Sequence, residues 1–229
     1  NFDIKELSYD NIGNKGKIER ILLLFNIESI RNNAYISEFY PFKFHKNISW
    51  SLEHIHAQNS ESLDKTKKDS WVKWLHCHKQ LIDELLADEK DINNPTELKK
   101  LQKEISQIDN EKLTWDTFRL LADSITKVFS ESSGDHSDDL HSISNLALLS
   151  QSDNASLSNA VFEVKRREII KMDKRGSYIP ICTRRVFLKY YNDKPSTQQY
   201  YFWGRKDREN YLSEIKTVLK DYLPKENGV

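Results

Sequence analysis

The sequence predicts an α+β protein, predominantly helical, and three observations lead there. Apolar residues recur at helical spacing along most of the chain, and only two short stretches read as strands. Those strands lie roughly 90 residues apart, with helical sequence between them. At 229 residues, 38% apolar and 31% charged, the chain can bury a real core beneath a well-solvated surface. Its 6 glycines and 5 prolines are too few for a loop-dominated or disordered chain.

In order along the chain, Ile18, Ile21, Leu22, Phe25 and Ile30 predict a helix over 17–31. The pattern dissolves into aromatics and Pro41 over 32–47, which reads as irregular chain. Ile48, Trp50 and Leu52 alternate with polar neighbours and predict a strand over 48–55. Residues 71–87 are strongly amphipathic, and further helices are expected over 96–108 and 114–129. ESSGDHSDD at 131–139 reads as an exposed loop, and ISNLALLS at 143–150 as the second strand. Leu157, Val161, Val164, Ile169 and Met172 then predict one continuous helix. Pro180 opens another through Tyr191, and Asp207 caps a last one reaching Tyr222.

Composition excludes several classes. No run of about 18 apolar residues exists, so no membrane span is expected, and ILLLF at 21–25 is too short for a secretion signal. Cys77 and Cys182, far apart and outside any CxxC pair, read as free thiols of a reducing cytoplasm. Lys plus Arg equal Asp plus Glu at 35 each, yet residues 165–189 hold nine basic and two acidic side chains. That stretch fits either a phosphate-contacting face or a solvated helix. The chain starts at Asn1 rather than Met, which fits a piece of something longer.

The chemistry-bearing stretch is WSLEHIHAQ at 50–58. Glu53 offers a hard anionic oxygen and His54 a base that titrates near neutrality. In a continuous strand these neighbours point to opposite faces, so they share a site only if the strand ends about there. His54 and His56 form an HxH pair that would bind zinc or iron given further ligands, which the sequence does not nominate. Downstream, Asn145 falls in the second strand and Asn154 at the mouth of the following helix; an amide oxygen suits Mg²⁺ better than a soft metal.

EHIHAQ, SNLALLS and DNASLSNAVFEVKRR, in that order, resemble the HNH nuclease motif (His-Me finger, ββα-metal): strand, strand and helix around one metal ion. Within it the chain is most similar to the C-terminal nuclease domain of GmrSD-type restriction endonucleases, and FWGRKDRENYLSEIKTVLKDYL at 202–223 resembles their tail. The motif covers about 30 residues in two blocks, the looser likeness most of the chain. The resemblance implies that His54 is the general base and that Glu53 and Asn154 are protein ligands to one Mg²⁺ or Mn²⁺ ion. It further implies that Asn145 bridges the strands and holds the loop that aims His54, and it places Lys165, Arg166 and Arg167 on the helix behind Asn154, where they would contact flanking phosphates. Two departures stand out: Ala57 replaces the usual proline, and the strands are separated by a long insertion.

The expected organisation is therefore an N-terminal helical and irregular segment at 1–47, a ββα-metal core from 48–58 and 141–175, a helical insertion at 59–140 and C-terminal helices at 176–229. His56 and His141 are candidates to support the site behind its direct ligands or to face substrate. His76 and His78, flanking Cys77, read as surface and core. Asp135, His136, Asp138 and Asp139 match no calcium-loop spacing and read as solvated.

The expected activity is metal-dependent DNA phosphodiester hydrolysis, leaving 5′-phosphate and 3′-hydroxyl ends, in a cytoplasmic restriction or antiphage defence system. A nucleotide-using N-terminal domain or partner subunit is implied, since no phosphate-cradling glycine loop occurs in this chain. The alternatives are a catalytically silent nucleic-acid-binding module, an RNA nuclease, and a non-nuclease metalloprotein built on His54 and His56.

Overall fold

The computed structural model describes residues 3–33, 39–56, 64–87, 94–132, 140–157, 159–192 and 201–224. Among them the protein is predominantly helical, with one small antiparallel sheet. β1 (Trp50–His54) pairs with β2 (Leu146–Ser150) in the register Trp50↔Ser150 through His54↔Leu146. All five residues of β2 are buried, which is why LALLS reads as an unbroken apolar run rather than an alternating one.

Two clusters of buried apolar side chains account for the packing. The larger gathers the sheet with α1 (Lys15–Arg31), α7 (Phe162–Lys174), α8 (Ile181–Phe187) and α9 (Arg205–Val218), through Phe25, Leu52, Leu148, Phe162, Phe187 and Trp203 among others. The smaller is built by α3 (Lys68–Ala87), α4 (Pro95–Ser106) and α5 (Trp115–Ser132), with Trp71, Trp74, Phe118 and Ile125 at its centre. Pro95 opens α4 at a position where its missing N–H costs nothing. The Thr114 hydroxyl accepts from the Thr117 N–H at 3.3 Å and caps α5. Of the 131–139 loop, residues 133–139 lie outside the described residues, and α5 continues to Ser132.

Several boundaries differ from expectation for identifiable reasons. The single helix expected from Leu157 onward is two: α6 (Gln151–Leu157) ends, Asn159 takes a left-handed φ of 48°, and α7 begins at Phe162. Asparagine tolerates that conformation better than most residues. The break is fastened by His78 of α3, whose Nε2 accepts the Val161 N–H at 3.2 Å, while its Nδ1 bonds the Trp74 carbonyl at 2.8 Å. α8 stops at Phe187 instead of Tyr191. Lys189, at φ 58°, turns its ammonium inward onto Asp207 at 2.6 Å, beneath the rings of Phe162 and Trp203. Asp207 lies inside α9 rather than at its cap, and its carboxylate accepts from the Gly204 N–H at 2.9 Å. A short α2 (Phe42–Lys46) interrupts the expected irregular segment. Asn145 closes a 3-10 turn (Ile143–Asn145) just ahead of β2, not within it.

No helix among the described residues is long and apolar enough to cross a membrane. Cys77 and Cys182 are both free thiols.

Candidate functional site

β1 ends at His54, and its alternation sorts the site residues into two sets. Ser51 and Glu53 share one face, met by α6 and α7. The Asn154 amide, in the middle of α6, donates to the Ser51 hydroxyl at 2.8 Å and to the Leu52 carbonyl at 3.2 Å. With its nitrogen committed to β1, the oxygen of that amide has no hydrogen-bond donor among the described residues. Glu53 stands two residues along, about 7 Å by strand geometry. It is 6% exposed and opposes the small Ala147 across the ladder.

Lys165 reaches the same spot from α7. Fully buried, its Nζ lies 2.5 Å from Glu53 Oε1 and donates to the His54 carbonyl at 2.6 Å. Burial pushes the Glu53 carboxyl up from its ordinary range, and the Lys165 ammonium pulls against that shift. A carboxylate so desolvated stays ionised only with a cation beside it.

His54 faces other neighbours. Its ring meets Tyr9 edge-on at 5.1 Å and His141 at 5.8 Å, and its buried Nε2 has no hydrogen-bond partner. Desolvation above all, then the positive charge of Lys165 and the neighbouring His141, push its pKa down to about 3. The imidazole is therefore neutral at pH 7, the form that accepts a proton. A negatively charged group arriving beside it would raise that basicity.

The loop after β1 is held by Asn145. Its Oδ1 accepts from the His56 N–H at 3.0 Å, while its Nδ2 donates to the carbonyls of His56 at 3.1 Å and Leu140 at 2.8 Å. Ile55 adds a backbone bond to the Asn145 carbonyl at 2.8 Å. One fully buried amide thus ties the end of β1 to the segment entering β2.

The HxH pair does not converge. His56 is buried and bonds Ser130 of α5 at 2.9 Å, away from the Glu53–Lys165 pair. His141 sits at the rim, 2.8 Å from Asp10. His76 is exposed and His78 is spent on helix fastening. Ala57, Asp135, His136, Asp138 and Asp139 lie outside the described residues.

One of the three consecutive basic residues is a correction to the expected phosphate-contacting row. Lys165 is interior and cannot reach a phosphate from where it lies. Arg166 bonds Glu163 at 3.2 Å, and Arg167 bonds Glu163 at 2.9 Å and Glu84 of α3 at 2.6 Å. Both arginines are neutralised by carboxylates and lace α7 to itself and to α3.

Tyr9, Asp10 and Ser51 were missed by sequence reasoning. Tyr9 and Asp10 reach the site because residues 7–9 run beside 141–143, through the Tyr9 N–H to the His141 carbonyl at 2.8 Å and the Ile143 N–H to the Leu7 carbonyl at 3.1 Å. No local pattern announces such a pairing. Ser51 was findable, being the residue that strand alternation places beside Glu53.

As a donor set, Glu53 and Asn154 supply one buried carboxylate and one amide oxygen on the same face, and both are hard donors. No group of three or more His, Cys, Asp or Glu that could hold a metal occurs among the described residues. A cation held by these two groups alone would keep most of its coordination for water and substrate, which suits Mg²⁺ or Mn²⁺ rather than structural zinc. No protein-family model, curated protein or solved structure matches the chain.

Proposed function

We propose that this chain is a metal-dependent endonuclease of the HNH type, hydrolysing DNA phosphodiesters with His54 as general base. The observation that carries the reading is the buried, unpartnered Nε2 of a neutral His54 at the end of β1, next in sequence to Glu53, whose face of the strand also carries Asn154. Two antiparallel strands followed by α6 and α7 support the ββα arrangement, with α3 to α5 as the insertion between the strands.

In the proposed reaction, His54 Nε2 takes a proton from water as the water oxygen forms its bond to phosphorus. The bond from phosphorus to the 3′ oxygen breaks, and that oxygen leaves as a hydroxyl after taking a proton from solvent. A divalent ion on Glu53 and Asn154 would offset the charge of the phosphate and the leaving oxygen. Asn145 fixes the chain immediately after His54, and Tyr9 and His141 hold the imidazole edge-on. By the resemblance, the enzyme serves restriction or antiphage defence with a nucleotide-using domain or subunit.

One observation favours a second reading, a catalytically silent nucleic-acid-binding module: Lys165 already supplies Glu53 with a cation. Plasmid cleavage with Mg²⁺ or Mn²⁺, with chelator, and with His54→Ala separates the two. The nuclease reading expects chelator-sensitive nicking that His54→Ala abolishes. DNA binding without such cutting supports the silent module, and equal cutting by both proteins removes His54 from the chemistry.

A further inference from the structure

The place a metal ion would take on Glu53 is taken here by the side chain of Lys165. Its ammonium is 2.5 Å from Oε1, both side chains are interior, and the amine's other contact is the His54 carbonyl at 2.6 Å. A divalent ion ligated by the same carboxylate would stand within a few ångströms of that ammonium, in surroundings with little water to screen the repulsion. Metal on Glu53 and Lys165 on Glu53 are therefore alternatives.

Lys165 also has somewhere to go. A cleft of about 280 Å³ between α3 and α7 is lined by Lys165 itself, with Cys77, Gln80, Leu157, Val164 and Glu168 around it. Glu168 lies three residues on along α7, within reach of a lysine on the same helix, and it now holds Lys171 only at 3.4 Å. A lysine leaving Glu53 would find a carboxylate and solvent on that side.

Resting on the reading of Glu53 as a metal ligand, we propose that Lys165 is the site's resident counter-cation and sets its metal affinity. It keeps the buried carboxylate compensated while no ion is bound, and a divalent ion must displace it toward the α3–α7 cleft. The measured affinity is the intrinsic affinity less the cost of that displacement. Lys165 thus makes the site loadable but weak, so that it fills when substrate phosphate adds its own oxygens.

Mn²⁺ titration followed by electron paramagnetic resonance, without nucleic acid, tests this on the full chain. Lys165→Met and Lys165→Gln should each bind Mn²⁺ about tenfold more tightly than wild type or better, and adding Glu53→Gln to either should abolish the gain. Equal or weaker binding by the Lys165 variants, with Glu53-dependent binding intact in wild type, overturns the displacement and leaves the nuclease reading standing. No Glu53-dependent binding in any protein overturns both. Should the variants fail to fold, wild type suffices: acetylation of Lys165 by an amine-reactive ester, read by mass spectrometry, should quicken when Mn²⁺ is added. A rate indifferent to Mn²⁺ refutes the displacement.

Discussion

Replacing Asn145 tests both the architecture and the site. Its amide is fully buried and makes three hydrogen bonds, one accepted from the His56 N–H and two donated to the carbonyls of His56 and Leu140. Asn145→Ala removes all three. The two groups on His56 belong to a residue 1% exposed, whereas Leu140 is half-buried and regains some water. At about 1–3 kcal/mol for each stranded buried group, the cost comes to about 3–5 kcal/mol. That is large against a total stability of about 5–15 kcal/mol, yet survivable. Asn145→Asp separates hydrogen bonding from shape. It keeps the acceptor for His56 N–H but turns a charged oxygen toward two carbonyls, so at pH 7 it should cost at least as much as alanine. Urea unfolding followed by circular dichroism reads both variants. A loss under about 1 kcal/mol for Asn145→Ala, or an Asn145→Asp protein as stable as wild type, would show that the amide does not bear the junction. Activity should fall further than stability explains, because His56, which takes two of the three bonds, lies two residues after His54.

His54→Leu removes a buried nitrogen that has no partner, so the urea midpoint should hold or rise while cleavage drops by about 10²–10⁴, the usual worth of a general base; a stability loss above about 2 kcal/mol would mean that His54 is structural. Acid should destabilise the protein through its neutral histidines. His78 and His54 have folded pKa values of about 3 against about 6.5 unfolded, so below pH 6.5 the unfolded chain binds protons that the folded one refuses. That stability is complete above pH 6.5 and is lost toward pH 3 at up to about 1.4 kcal/mol per pH unit for each histidine. His78→Gln should flatten the slope of midpoint against pH by one proton, and an unchanged slope would contradict the burial of that ring. Arg167→Ala should lower stability by about 1 kcal/mol by cutting the α7–α3 link. In DNA-binding anisotropy it should leave the salt slope nearly unchanged, and a slope smaller by about one would restore Arg167 to the phosphate-contacting role.

The elements legible in the sequence were those whose partners are spread along one face. The helices at 17–31, 71–87, 96–108 and 114–129 announced themselves through apolar stripes, which report burial whatever covers them. What escaped was decided by single contacts from elsewhere. Leu157 to Met172 carries one helical pattern, but the chain breaks it at Asn159 because His78, some eighty residues earlier, takes the Val161 N–H. Lys189 ends α8 by turning toward Asp207, and nothing between Pro180 and Tyr191 hints at that partner.

The site divides along the same line, and Lys165 shows where more could have been read. Adjacent residues on a strand face opposite ways, so Glu53 and His54 had to find different neighbours, and they do. A helix separates sequence neighbours in its own way. Consecutive residues are turned by about a quarter of a circle or more, so Lys165, Arg166 and Arg167 cannot form one phosphate-facing row. Phe162, Lys165, Ile169 and Met172 instead fall on a single stripe, and all four are buried. A lysine on an apolar stripe either snorkels to the surface or meets a carboxylate inside. Glu53 is the acid of β1, the strand that this stripe approaches. Taken as a stripe rather than as a run of charges, the sequence already ties β1 to α7, and it sets Lys165 against Glu53 in the interior.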